Sequence, residues 1–158
     1  MGLAFGLLAA GVVAGHFSKL KRSDRLNHLI YLQVLKQQKH LNSQPDTIQV
    51  NWLHTLNPLV QGVSGNISWS NRQQAGIMTF VGLPQLPSNQ HYRLLIFDLG
   101  NRYNKPLVGA SFNPVKSTRS PVLVKYSAPE TIVKPFKFEL VLAENNSPIV
   151  KSLLLAQP

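Results

Sequence analysis

The chain has 158 residues, no cysteine and a formal charge of +10, from 16 lysines and arginines against six aspartates and glutamates. The missing cysteines exclude disulfides, thiolate metal ligands and cysteine nucleophiles. The positive charge favours attraction to anionic lipid headgroups or nucleic acid, but the basic residues are scattered and form no known nucleic-acid-binding motif. We therefore expect a basic solvated surface and no nucleic-acid partner.

The first segment is an apolar run. Residues 1–17 read MGLAFGLLAAGVVAGHF and are apolar apart from His16, with the mixture of Gly, Ala, Val and Leu that is typical of membrane helices. The run is slightly shorter than the ~20 residues of a full span, and it lacks the basic start of a secretory signal. We predict a membrane anchor over residues 1–18, with a signal peptide and a buried core helix as alternatives.

The next segment, residues 19–45, has a helical pattern. Apolar residues between Leu26 and Leu41 recur mostly at spacings of three and four, glutamines and lysines fill the other face, and Asn42, Ser43 and Pro45 end the pattern. This predicts a basic amphipathic helix, which could be a stalk, a short coiled-coil seam or a helix packed on the following domain. By the positive-inside rule alone, its first basic residues would lie in the cytoplasm, namely Lys19, Lys21, Arg22 and Arg25.

From Thr47 onward the apolar period changes to two, and turn residues recur every eight to twelve positions. Both features are typical of an all-β sandwich or barrel. We predict an antiparallel β-sandwich of about eight strands over residues 46–158, following the membrane helix and the stalk helix. The strands are expected near 48–53, 65–70, 76–82, 92–98, 107–112, 122–126, 135–143 and 149–155.

Two of these strands carry the strongest patterns. YRLLIFDL, at 92–99, is apolar on both faces, which predicts a central strand buried on both sides. FKFELVLA, at 136–143, alternates so that Phe136, Phe138, Leu140 and Leu142 would point inward. Pro84 and Pro87 cannot donate to a ladder, so the segment after Leu83 is predicted to be a loop.

The sequence has no catalytic signature, so we expect no enzyme activity and no cofactor. The six acids are widely spread, and only Asp98 adjoins a buried strand. Asp98 is expected to cap the turn at Gly100, with an ion pair to Arg93 or Arg102 as the alternative. His54 and His91 could bind a metal only if the fold brought them together, and we predict no metal site. The possible contact residues are aromatic, and each could equally be a core side chain: Trp52, Trp69 and Tyr92.

The order of the strand motifs resembles a known family. GNISWSNRQQAGIMTFVGLPQLPSNQHYRLLIFDLG, then KPLVGASFNP and then KPFKFELVLA, is similar to the C-terminal domain of membrane-bound anti-sigma factors of the anti-sigma-K type. The resemblance covers about residues 55–155. The positions that match the family's structural motifs are Trp69, Gly82, Leu83, Pro84, Tyr92, Gly109, Phe112, Phe138 and Glu139.

The resemblance implies a single-pass protein of the cytoplasmic membrane, with its β-domain facing the periplasm or the cell exterior. It implies regulation of extracytoplasmic-function sigma factor signalling by protein–protein contact. Leu95 stands where the family usually has Trp, and the family's N-terminal sigma-binding domain, often a zinc domain, has no counterpart in these residues. The expected partner is therefore another membrane protein, or a sigma factor only indirectly. The alternative is a membrane-tethered sandwich that binds an envelope ligand or partner protein.

Overall fold

The computed structural model describes residues 6–100, 105–114 and 121–158, with side chains from residue 22 onward. Within these ranges the chain forms one long helix, nine strands and a short 3-10 turn at Pro58–Val60. The helix α1 spans Gly6–Asn42. The strands are β1 (Thr47–Asn51), β2 (Leu53–His54), β3 (Ser64–Ser70), β4 (Ala75–Val81), β5 (Gln90–Asp98), β6 (Leu107–Phe112), β7 (Val122–Ser127), β8 (Pro135–Glu144) and β9 (Val150–Ala156).

Helix α1 ends at Asn42, where the sequence predicted its end. The predicted anchor over residues 1–18 begins outside the described residues. Across the part of the chain that the structure describes, no helix contains a stretch long and apolar enough to span a bilayer. The anchor therefore stays a prediction. The chain divides into two compact units, Met1–Lys36 and Gln37–Pro158.

The last turn of α1 belongs to the second unit and packs on its four-stranded sheet. Gln38 Nε2 donates to Thr79 Oγ1 at 2.5 Å, and the Ser68 hydroxyl donates to Asn42 Oδ1 at 2.7 Å. Leu41 is buried, and its carbonyl oxygen accepts from the Thr47 hydroxyl at 2.6 Å. Of the three roles left open for the stalk helix, packing on the following domain holds for this last turn.

The second unit contains two antiparallel sheets, in the orders β1-β3-β4-β7 and β2-β9-β8-β5-β6. Seven of the predicted strands appear within two residues of their expected bounds. The predicted strand at 48–53 is instead divided between the two sheets. The chain passes from one sheet to the other at Trp52. The Trp52 side chain is buried, and its backbone N–H donates to the Gly65 carbonyl at 3.1 Å. The sandwich-like fold is thus confirmed, with nine described strands rather than eight.

One apolar core lies between the sheets. Its largest members come from both of them: Trp69 of β3 packs against Tyr126 of β7 and Phe138 of β8, with ring centroids 5.9 and 6.3 Å away. In the register of the four-stranded sheet, Gly76 stands between Trp69 and Tyr126. The two large rings can stack because the residue between them has no side chain.

Two expectations about strand faces are wrong. In β5 only the face of Tyr92, Leu94 and Ile96 is fully buried, whereas Leu95 and Phe97 are half-buried on the outer face. In β8 the register shifts between Phe97 and Asp98 of its partner, so that Phe97 pairs with Lys137 and Asp98 with Pro135. This bulge leaves Phe136 unpaired and 39% exposed.

The proline-containing segment between β4 and β5 is a loop, as predicted. Leu83 and Leu86 anchor it in the core. Asn113 takes the place of a neighbouring strand: its amide accepts from the Leu86 N–H and donates to the Leu86 carbonyl, each at 2.9 Å. The Tyr92 hydroxyl donates to the Pro84 carbonyl at 2.8 Å. The loop is thus held at two points.

Candidate interaction surface

The structure places the three predicted contact aromatics inside the sandwich. Trp52 stacks on Phe80 with ring centroids 5.5 Å apart, and Tyr92 packs against Phe112 at 5.6 Å. Trp69 has no exposed surface. None of the three side chains therefore offers an exposed ring to a partner, because all three lie where the two sheets meet. A contact surface has to be built from other residues.

The remaining family-motif positions also occupy structural places. Gly82 has a φ of +79°, which a side chain would disfavour, and it begins the loop that contains Leu83 and Pro84. A Cβ at Gly109 would lie 2.9 Å from the Ile96 side chain. Phe112 and Phe138 pack in the aromatic core, while Glu139 lies on the outer face and forms a 3.1 Å ion pair with Lys137.

Asp98 holds two segments of the chain together at the end of β5. One carboxylate oxygen accepts from the backbone N–H groups of Gly100 at 3.2 Å and Lys134 at 2.6 Å. The other accepts from the N–H of Val133 at 3.0 Å. Burial opposes ionisation of this carboxyl, but the hydrogen bonds from the three amides outweigh it and hold the pKa of Asp98 below its usual value.

The expected cap at Gly100 is therefore confirmed, and the sequence did not reveal the two bonds to residues 133 and 134. Arg93 does not pair with Asp98; its guanidinium donates instead to His91 Nε2 at 3.2 Å. Arg102, the other expected partner, lies outside the described residues.

Next to Asp98 lies an exposed apolar and basic surface, which we call the end patch. Leu99 and Val133 are 62% and 63% exposed, and Phe136 is turned outward by the bulge in β8. Phe136 meets the Phe97 ring edge-on, with centroids 6.2 Å apart. The patch consists of Phe97, Leu99, Val133, Lys134, Phe136 and Lys137.

The end patch is held in place by its surroundings. The Leu99 N–H donates to the Lys134 carbonyl at 3.0 Å, so the two exposed segments are joined to each other as well as to the Asp98 carboxylate. A Cβ at Gly100 would lie 2.7 Å from Val133 Cβ, which shows how closely the segments approach. Such a surface would lose little conformational freedom when a partner binds.

The end patch contains two lysines. Lys137 Nζ lies 3.8 Å from the centre of the Phe97 ring, a cation–π contact, and is partly neutralised by Glu139. Lys134 is exposed and has no ion-pair partner among the described residues. Aromatic and apolar side chains beside the unpaired Lys134 suit a partner that is both apolar and acidic.

The histidines are not brought together. His54 lies in β2, and its Nε2 contacts the Val63 carbonyl oxygen. His91 lies in β5 and accepts from Arg93. Within residues 6–100, 105–114 and 121–158, no three His, Asp or Glu side chains come close enough to hold a metal ion.

Comparison of the chain with models of known protein families, with curated proteins and with solved structures finds no match. Function is therefore inferred from the residues and contacts described above. Sequence reasoning missed the end patch because it placed Phe136 inside. The signal that could have found it is Pro135, since a proline at the start of a strand disfavours regular pairing there.

Proposed function

We propose that this chain is a membrane-tethered β-sandwich that acts by protein–protein contact, as the extracytoplasmic domain of an anti-sigma-K-type regulator. In this proposal residues 1–18 anchor the chain in the cytoplasmic membrane, and the sandwich faces the periplasm or cell exterior. The sandwich contributes a docking surface and no catalytic group. It would influence an extracytoplasmic-function sigma factor through a membrane partner rather than by direct binding.

The observation that carries the proposal is the end patch. Three large apolar side chains are exposed together on a rigid part of the molecule, namely Leu99, Val133 and Phe136. The bulge that exposes Phe136 and the carboxylate that holds Val133 and Lys134 both act to present this surface. Apolar side chains exposed together are more indicative of a protein contact surface than apolar side chains exposed singly.

The charge of the patch defines the partner further. Lys134 and Lys137 flank the apolar groups, and the whole chain carries +10. A second copy of the same chain would bring like charges together, so self-association through this patch is disfavoured. The partner that fits is a different protein, with an acidic segment that also carries large apolar side chains.

Site-specific photo-crosslinking in cells tests the proposal. A photoreactive amino acid replaces Val133 in the full membrane-bound chain, and in a matched control it replaces Leu56, which is 99% exposed but lies away from the patch elements. We expect a discrete protein adduct from position 133 and none from position 56. The adduct should disappear in the Lys134→Glu variant, because an acidic partner would then be repelled.

Each outcome bears on the proposal. An adduct that contains a membrane regulator with an acidic contact segment supports it. Identical adducts from positions 133 and 56 contradict it, since the patch would then have no preference over any exposed surface. Adducts with glycan or lipid in place of protein would favour the alternative, a tethered module that binds an envelope ligand.

A further inference from the structure

Helix α1 carries a regular row of exposed residues that the proposed function does not use. Arg22, Arg25, Leu29, Leu32 and Lys36 follow one another at spacings of three and four, so they share one side of the helix. All five are exposed, including Leu29 at 62% and Leu32 at 45%. We call this row the cationic stripe. Two exposed leucines thus lie between cations at both ends.

The charges around this part of the helix are unevenly placed. At 100° per residue, Asp24 lies about 120° away from the middle of the cationic stripe. It is the one acid between residues 22 and 42. Leu26, which is also exposed, lies about 80° from the middle of the stripe, and the exposed Ile30 lies about 120° from it, on the other side from Asp24. The side of the helix that carries the stripe therefore has no acid between residues 22 and 42 and presents two exposed leucines between its cations.

This combination selects one kind of occupant. If the stripe itself were the seam of a coiled-coil dimer, Arg22, Arg25 and Lys36 would meet cations of the other chain. Solvent alone accounts for the cations but leaves the two exposed leucines of the stripe in water. An anionic phospholipid surface accommodates both, because leucines enter the acyl boundary while arginine and lysine reach the headgroup phosphates.

We propose that the cationic stripe lies on the surface of an anionic phospholipid bilayer, with α1 parallel to that surface between residues 22 and 36, which requires α1 to bend before residue 22 wherever residues 1–18 are inserted in the membrane. Leu29 and Leu32 enter the interface, with Leu26 at its margin. Arg22, Arg25 and Lys36 bind lipid phosphates on either side of them. This goes beyond the proposed function, because it assigns a second contact surface that involves no residue of the end patch.

The missing cysteines make a direct test simple. Single substitutions Leu29→Cys and Asn27→Cys are introduced into the full chain and labelled with a polarity-sensitive fluorophore. Asn27 is exposed and lies on the side of the helix opposite the stripe. The protein is bound to vesicles of phosphatidylcholine and phosphatidylglycerol. We expect the label at position 29 to report an apolar environment and to be quenched from within the lipid, and the label at position 27 to remain in water.

This comparison works even if residues 1–17 insert into the vesicle, since both positions would then be equally close to the membrane and only the side of the helix would differ. A second pair, Leu32→Cys and Ser23→Cys, should repeat the contrast. Equal aqueous signals from the positions within each pair would overturn the proposal. Equal apolar signals would also overturn it, because the helix would then be inserted rather than lying on the surface.

Charge variants test the choice of lipid. Arg22→Gln/Arg25→Gln should abolish the apolar signal at position 29, as should vesicles of phosphatidylcholine alone or high salt. Lys125→Gln/Lys151→Gln removes the same charge from exposed positions on the sandwich and should leave the signal unchanged. An apolar signal that survives on neutral vesicles would overturn the role of the cations. Crosslinking from position 133 should persist in the helix variants. A failure of the protein contact at the end patch can therefore be distinguished from a failure of the lipid contact at the cationic stripe.

Discussion

The buried hydroxyl of Tyr126 donates a 2.8 Å hydrogen bond to the carbonyl oxygen of Ser68, although strand β4 lies between their two strands. The bond passes over Gly76, the residue of β4 that is in register with both Trp69 and Tyr126. Burial raises the pKa of the Tyr126 hydroxyl well above its usual value. A side-chain bond thus reinforces the sheet at Gly76, where β4 has no side chain.

Tyr126→Phe removes this bond while keeping the ring that stacks on Trp69. We expect the free energy of unfolding to fall by about 1–1.5 kcal/mol, the usual net contribution of a buried hydrogen bond. Chemical denaturation followed by tryptophan fluorescence measures the change. The matched control is Tyr31→Phe, because the Tyr31 hydroxyl has no hydrogen-bond partner in the described part of the chain. Equal effects of the two substitutions would show that the bond contributes nothing.

Gly76→Ala should be far more damaging. An added Cβ would lie 2.0 Å from the Ser68 carbonyl oxygen and 2.5 Å from two atoms of the Tyr126 side chain. The Ser68 backbone cannot move aside at that distance without breaking the β3–β4 pairing. We therefore expect the free energy of unfolding to fall by at least about 3 kcal/mol, or the protein to fail to fold. Thermal unfolding by circular dichroism measures it.

Gly62→Ala is the control for Gly76→Ala, because an added Cβ there meets nothing within 4 Å. Its melting temperature should change little. A Gly76→Ala protein as stable as Gly62→Ala would mean that β4 does not approach Tyr126 as closely as described.

Asp98→Asn should weaken the fold at the end patch. The amide oxygen can replace one carboxylate oxygen, but the NH₂ group would face a backbone N–H that needs an acceptor. We expect the free energy of unfolding to fall by about 2 kcal/mol at neutral pH. Glu130→Gln, which removes the same charge from an exposed side chain, should cost much less.

The same carboxyl gives a pH dependence with a definite sign. Because the folded-state pKa of Asp98 lies below the unfolded value of about 3.9, its stabilisation is complete above that value and is lost as pH falls through the folded pKa. Asp46, whose pKa the Ser70 hydroxyl lowers, acts in the same direction. The test is therefore the difference in the free energy of unfolding between the parent protein and Asp98→Asn. This difference should shrink below about pH 4. A difference independent of pH would contradict the role of the charge.

The bulge in β8 can be tested with two phenylalanines. Phe138 is fully buried, whereas Phe136 is half-exposed beside Phe97. Phe138→Ala should cost about 3–5 kcal/mol, and Phe136→Ala about 1 kcal/mol or less. Denaturant midpoints of the two variants give the comparison. Equal losses of stability in the two variants would mean that both rings lie in the core, as the alternation in the sequence predicts.

The local patterns in the sequence were sufficient for most of the fold. Alternating apolar residues placed seven strands to within two residues, and Asn42, Ser43 and Pro45 marked the end of α1, because these features depend on neighbouring residues only. The prolines at 84 and 87 predicted the loop for the same reason. Asp98 was assigned to the turn at Gly100 because an aspartate caps a nearby glycine turn through local bonds.

The tertiary structure decided what depends on distant partners. Trp52 divides a single predicted strand between two sheets, and one register shift turns Phe136 from the core to the surface. The amides of Val133 and Lys134 reach Asp98 from 35 and 36 residues away. Sequence periodicity alone determined where most of the strands lie. Pairing register and the approach of remote backbone determined the end patch, because those contacts are set only when the sheets pack.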